Sequence, residues 1–181
     1  MALEAGAKGN LMAFRSVDEI LKPDVRFADL YVVENGAARL MDLSDHHATI
    51  AGVSLVGTAP QEVKDAFDRA RSALVYAYFN YDLLVVGEIQ SFGAFELALK
   101  HRLNGHGGAS KGTLRNLVDR ARKAGIFPPK SPAGHGFADP IEALIALRNG
   151  LSHGTSEVHS PGMALTVLDS CAHAIDTVYP P

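Results

Sequence analysis

The chain has 181 residues, 47% of them apolar and 20% charged, and a formal net charge of −3. That is enough for one domain with a substantial core, and too acidic for a protein that coats nucleic acid through an excess of Lys and Arg. Cys171 is the only cysteine, which excludes an intramolecular disulfide and a cysteine-based zinc site. Met1 to Lys8 carry an early acid, Glu4, and no apolar run of signal-peptide length. The most apolar stretch, about Ala73 to Ile89, is interrupted by Asn80, Asp82 and Glu88, too polar and too short for a membrane span. A soluble, cytoplasmic protein with no membrane partner is expected.

Ser16 with Glu19 forms a capping-box pattern that opens a short helix through Leu21, ended by Pro23. Leu30 to Glu34 is rich in β-formers, and Asn35-Gly36 is the dipeptide preferred in a two-residue hairpin turn. Ala38 to Leu43 reads as the returning strand and Ile50 to Val56 as a further one. Asp42, Asp45, His46 and His47 look like a metal site, but adjacent histidines diverge in regular structure and no second cluster completes a ligand set, so a surface position is expected. Thr58-Ala59-Pro60 marks a boundary, which makes residues 1–58 a small mixed α/β segment and 59–181 a helical bundle.

From Pro60 the apolar period becomes helical. Val63, Ala66, Phe67, Ala70, Ala73, Leu74 and Ala77 recur at three-and-four spacing. A second helix is expected from about Asp82 to Leu103, followed by a glycine-rich break from Asn104 to Gly112 that lacks the Gly-Lys-Ser/Thr of a phosphate loop. Thr113 to Lys123 reads as a third helix stopped by Gly125. Phe127 to Pro140 holds four prolines and must be a loop. Asp139 caps a fourth helix carrying Ile141, Leu144, Ile145, Leu147 and Leu151, with Gly154 as its C′ residue. Pro161 to Val178 is the last, with Cys171 on its buried stripe. Tyr76, Tyr78, Phe79 and Tyr81 fit the junction of two packed helices better than a base-stacking platform.

The segment Arg148-Asn149-Gly150-Leu151-Ser152-His153 carries the chemistry. Asn149 and His153 are one turn apart on one helix face, and Arg148 lies about 140° round the axis with a side chain long enough to swing back. The histidine falls at the helix end, where the dipole favours the imidazolium. An imidazole that gains and loses a proton near neutrality, beside a fixed guanidinium, suits phosphodiester cleavage with no metal and no cofactor. Gly150 costs about 1 kcal/mol relative to alanine inside a helix, explained equally by a close approach of another backbone or substrate and by a packing constraint.

Arg148-Asn149, three residues, then His153 resembles the signature of HEPN-domain ribonucleases (higher eukaryotes and prokaryotes nucleotide-binding). The order of helices is similar over roughly residues 60 to 180, and Val86 to Leu99 resembles the glutamate-bearing second helix of bacterial HEPN-like proteins. The resemblance implies a mainly α fold, an up-and-down bundle of about five helices with the small N-terminal α/β addition. It also implies a homodimer with two Arg/His pairs facing across the interface, and products with a 2′,3′-cyclic phosphate and a 5′-hydroxyl. Arg148 and His153 would be catalytic and Asn149 would orient them.

Glu88 and Glu96 lie on or beside the apolar stripe of the second helix, so one of them, Glu88 the better placed, is expected to orient Arg148 or His153. Between Lys100 and Lys130 eight basic residues stand against one acid, Asp119. Lys100, Arg102, Lys111 and Arg115 are the expected RNA-backbone contacts, the alternative being a solvated helix face. The expected function is a metal-independent endoribonuclease of toxin or defence type, with RNA rather than DNA as substrate. Its rivals are a non-catalytic nucleotide-binding or protein-interaction module, docking an antitoxin or nucleotidyltransferase, and a purely structural dimerisation domain.

Overall fold

The computed structural model describes residues 14–104, 112–130, 139–153 and 158–181. The N-terminal Met1 to Lys8, most of the glycine-rich break with Lys111, Pro132, and the proposed C′ residue Gly154 lie outside the described residues.

The helix expected from Ser16 to Leu21 is instead a pair of successive turns, closed by Glu19 N–H on Ser16 O and Lys22 N–H on Glu19 O, both at 3.0 Å. Val17, Ile20 and Leu21 are exposed. With no face to bury, one helical turn cannot offset the cost of its nucleus. Asp24 then caps a short 3-10 turn, Val25–Phe27, and Phe27 packs edge-on against His46 and Tyr81. The hairpin is β1 (Tyr31–Glu34) and β2 (Ala37–Leu40), paired Tyr31 to Leu40 and Val33 to Ala38. Asn35 and Gly36 both take positive φ, 51° and 80°, as a two-residue turn matched to strand twist requires. Its polarity is inverted relative to a half-buried sheet. Arg39 on one face is ion-paired to Glu34 and to Asp45, whereas the apolar face of Tyr31, Val33, Ala38 and Leu40 is exposed.

Neither Leu43 nor Ile50 is in a strand. Both belong to α1 (Leu43–Ala51), which opens on a reciprocal capping box between Asp42 and Asp45. The two acids are thus a helix start. His46 is not at the surface either: it is 5% exposed and its Nε2 lies 2.8 Å from Leu74 O. Burial pushes its pKa down, so the ring stays neutral and its N–H donates to that carbonyl. Residues 53–58 follow as extended connection. Val56 and Gly57 donate their N–H groups to the Asp176 carboxylate, and Thr58 N–H reaches Tyr179 O. A Cβ on Gly57 would collide with Tyr179 O, so glycine is required there.

Five helices follow: α2 (Gln61–Tyr76), α3 (Leu83–Asn104), α4 (Leu114–Lys123), α5 (Pro140–Ser152) and α6 (Pro161–Val178). Thr113, Asp139 and Ser160 cap α4, α5 and α6 with side-chain oxygens. The long α3 is central, packing on α2, α6, α4 and α5. Phe92, Phe95 and Leu99 of α3 join Phe67, Leu74, Leu117, Ile145, Leu168 and Ile175 in one core, to which Ile50 of α1 also belongs. Leu84 shares a cavity with Ala164, and Tyr179 Oη donates to Ala98 O, so α6 runs in the same direction as α3. The start of α5 shares a groove with the end of α6, so α5 runs the opposite way. The chain is therefore mainly helical, with one small antiparallel hairpin among the described residues. No described helix is long and apolar enough to cross a membrane.

The α2–α3 contact is close enough to exclude a methyl group: a Cβ on Gly87 would run into the Leu74 side chain, whereas one on Gly93, on the same helix, meets nothing within 4 Å. Gly87→Ala should lower the urea unfolding free energy by about 1–3 kcal/mol. Gly93→Ala should raise it by up to about 1 kcal/mol, since only helix propensity changes there.

Candidate functional site

The buried residues of α5 are Leu144, Ile145 and Leu151, which turn one side of the helix to the core. Asn149 and Gly150 are thereby left exposed. The helix ends at Ser152, and His153 is its C-cap, exposed, with φ −93° and ψ 17°. Arg148 is intermediate. Its side chain is 31% exposed and its Nη2 lies 3.2 Å from Glu96 Oε1. Glu96 also faces Lys100 Nζ at 3.8 Å. The carboxylate that orients the arginine is thus Glu96, and the preference for Glu88 is corrected: Glu88 Oε1 lies 2.7 Å from His159 Nδ1. Stripe position alone misled, because the centre of the stripe is the part of α3 that α6 covers. Gly150 has no described atom within 4 Å of its would-be Cβ, so packing within the described chain does not explain it.

Part of the positive stretch is neutralised from the start of α5. Arg115 and Arg122 meet Glu142 at 2.6 and 2.7 Å, Lys130 meets it at 3.0 Å, and Arg122 also meets Asp139 at 2.6 Å. Arg120 hydrogen-bonds Asn104. Of the expected RNA contacts, Arg115 is committed to Glu142, Lys100 leans on Glu96, and Arg102 is exposed on the last turn of α3; Lys111 is outside the described residues. Two of the stretch's cations, Arg115 and Arg122, are spent on fastening α4 to α5. Sequence reading missed Glu142 because it lies outside the basic run, with nothing local to connect the two.

His159 was also missed. It stands one residue before the Ser160 cap of α6, an unremarkable loop position in sequence, and only the fold brings it to α3. Tyr78 and Tyr81 do pack at the α2–α3 junction, around Phe27, whereas Tyr76 is exposed. Cys171 is buried. Among the described residues no group of three or more His, Cys, Asp or Glu is placed to hold a metal. A groove of about 570 Å³, bordered by Phe127, Pro128, Ile141, Leu144 and His173, includes none of Arg148, Asn149 and His153. At the end of α5, Asn149 and His153 are thus exposed and Arg148 is half-buried.

Comparison with known proteins adds no constraint: no family model, no curated protein and no solved structure matches the chain.

Burial pushes the Glu142 carboxyl up, but hydrogen bonds from Arg115, Lys130 and Arg122 outweigh it and hold it at about 2, below its ordinary 4.5. A carboxyl depressed in the folded state stabilises fully above its unfolded value and loses that contribution as pH falls through the folded one. Urea midpoints should therefore fall between about pH 4.5 and 2. The fall should be shallower in Glu142→Gln, though not abolished, since Asp24 beside Arg26 is likewise held at about 2.

Proposed function

We propose that this chain is a HEPN-like helical domain that cleaves RNA without a metal, through Arg148 and His153. The observation that carries this reading is the end of α5, where an exposed imidazole caps the helix and a guanidinium on the same helix is oriented by Glu96. A protonated imidazole at this position can give its proton to a leaving 5′-oxygen. Arg148 answers the charge on the phosphoryl oxygens. Its pair with Glu96 is partly open to solvent, an interaction worth about 1 kcal/mol or less, so an incoming phosphate can replace the carboxylate. Asn149, one turn before His153 and exposed, is placed to help orient substrate.

The reading extends to a homodimer and to a toxin or defence role. Gly150, exposed and with open space above it, gives the α5 end a surface that a second backbone can approach. A second reading is a non-catalytic module that docks an antitoxin or nucleotidyltransferase. It is favoured by the exposed apolar face of the hairpin and by the pairing of Arg115 and Arg122 with Glu142, which takes those two cations away from an RNA backbone.

In EDTA, the wild-type chain should cut a single-stranded RNA oligonucleotide to 2′,3′-cyclic-phosphate ends, and His153→Ala should lower the rate about 10²–10⁴-fold. Arg148→Ala should act in the same direction. No cleavage by the wild type, or equal cleavage by His153→Ala, would give the interaction module precedence.

A further inference from the structure

Within one protomer the ribonuclease reading uses one histidine, yet transfer through a 2′-hydroxyl moves two protons, one off the nucleophile and one onto the leaving group. The fold supplies a second imidazole with unusual support. Glu88 is 0% exposed, in the interior of the bundle on α3. Its Oε1 is bound to His159 Nδ1 at 2.7 Å, and among the described residues its Oε2 has no hydrogen-bond partner. Ser91, one turn along, is also buried and donates its hydroxyl to Gly87 O rather than to the carboxylate. A carboxyl in that position is costly unless something uses it. The imidazole it holds is not sealed in, since the His159 side chain is 15% exposed. With Nδ1 occupied, Nε2 is the ring nitrogen left to act outward.

Both pairs are anchored on α3, about two turns apart and about 80° round its axis. Arg148 reaches Glu96 and His159 reaches Glu88, eight residues back along the helix or about 12 Å by its rise. His153 stands between the two in sequence, at the end of a helix that runs opposite to α3. Arg148 is the member able to move, by exchanging Glu96 for a phosphate.

We propose that Glu88 and His159 form a carboxylate-backed general base that completes the Arg148–His153 site within a single protomer. This rests on the ribonuclease reading. The 2′-oxygen attacks phosphorus as its proton passes to His159 Nε2. The bond from phosphorus to the 5′-oxygen then breaks, and the His153 imidazolium gives its proton to that oxygen. The products are a 2′,3′-cyclic phosphate and a 5′-hydroxyl, and exchange with water restores both rings. Glu88 is a positioning residue: it fixes the ring and stabilises the imidazolium as it forms, as a buried carboxylate does behind other catalytic histidines. Burial pushes the Glu88 carboxyl up while the His159 hydrogen bond holds it back. The other described ionisable group on which the Glu88 charge bears is Cys171 of α6, whose thiol burial pushes far up, so it stays protonated.

The test is the pH profile of kcat/KM on a single-stranded RNA oligonucleotide in EDTA, with the all-DNA oligonucleotide as the substrate that lacks the nucleophile. Wild type, His153→Ala, His159→Gln, His159→Ala and Glu88→Gln are compared, each with a thermal melt. His159→Gln is expected to lose about 10²–10⁴-fold and, with it, the acid limb that reports a base losing its proton. Glu88→Gln is expected to weaken that limb, and free imidazole to restore part of the His159→Ala rate. If wild type cleaves and His153→Ala does not, while His159→Gln keeps both its rate and its acid limb, the dyad is wrong and the ribonuclease reading stands. A rate that drops only in step with Tm, with the limb intact and no imidazole rescue, also overturns it. A wild type that cuts no RNA removes both.

Discussion

The central constraint is that α3 packs against four other helices and carries two carboxylates on its packed side. A helix enclosed by α2, α4, α5 and α6 can keep Glu88 and Glu96 only if its neighbours bring cations or proton donors to them. The α5 and α6 sides contribute one each. Arg148 arrives from α5 and His159 from the entry to α6, so both acids serve as anchors for the segments that follow the bundle's long central helix. The residues with the greatest chemical potential in the chain are therefore held by its core, rather than suspended on loops. That is the condition under which geometry at a site can be maintained.

The same logic runs through the contact between α4 and α5. Arg122 has its side chain only 9% exposed, and both its partners, Asp139 and Glu142, come from the first turn of α5. Asp139 thereby does two jobs, accepting the N–H groups of Ile141 and Glu142 as a cap and pairing with Arg122. Acids at a helix start are favoured by the dipole as well as by the cations facing them. What looks in sequence like a basic surface is in the fold partly an adhesive between two helices, with Arg102, Arg120, Lys123 and Lys130 exposed.

The five bundle helices were legible to within a residue or so, because their signals are local: three-and-four apolar spacing, Thr113 and Asp139 as caps, Gly125 as a stop. The hairpin was legible for the same reason, since Asn35-Gly36 states its own turn geometry. Where the reading failed, a local pattern competed with a tertiary one. Ser16 and Glu19 spell a cap but have no apolar face to follow it, whereas Asp42 and Asp45 spell a less familiar box whose helix has Ile50 and His46 to bury. The motif at Arg148 was visible because it is contiguous. Its partner Glu96 could be narrowed to two candidates by helical phase but not chosen, and His159 could not be found, because the choice depends on where α5 and α6 cross α3.

The hairpin bears on how far the protein acts alone. Two strands in isolation are marginal in water, and this pair turns its ionic face, through Arg39 and Asp45, toward α1 while its apolar face is left open. The attachment is thus polar and the free face hydrophobic, the reverse of what burial against the same body would select. Arg39 is itself 42% exposed, so the tie to α1 is modest. The hairpin is consequently the part of the described chain whose position owes least to the core, while the α5–α6 side owes it most. The described chain therefore separates two regions: charged residues anchored on α3, and an exposed apolar surface some distance along the sequence from them.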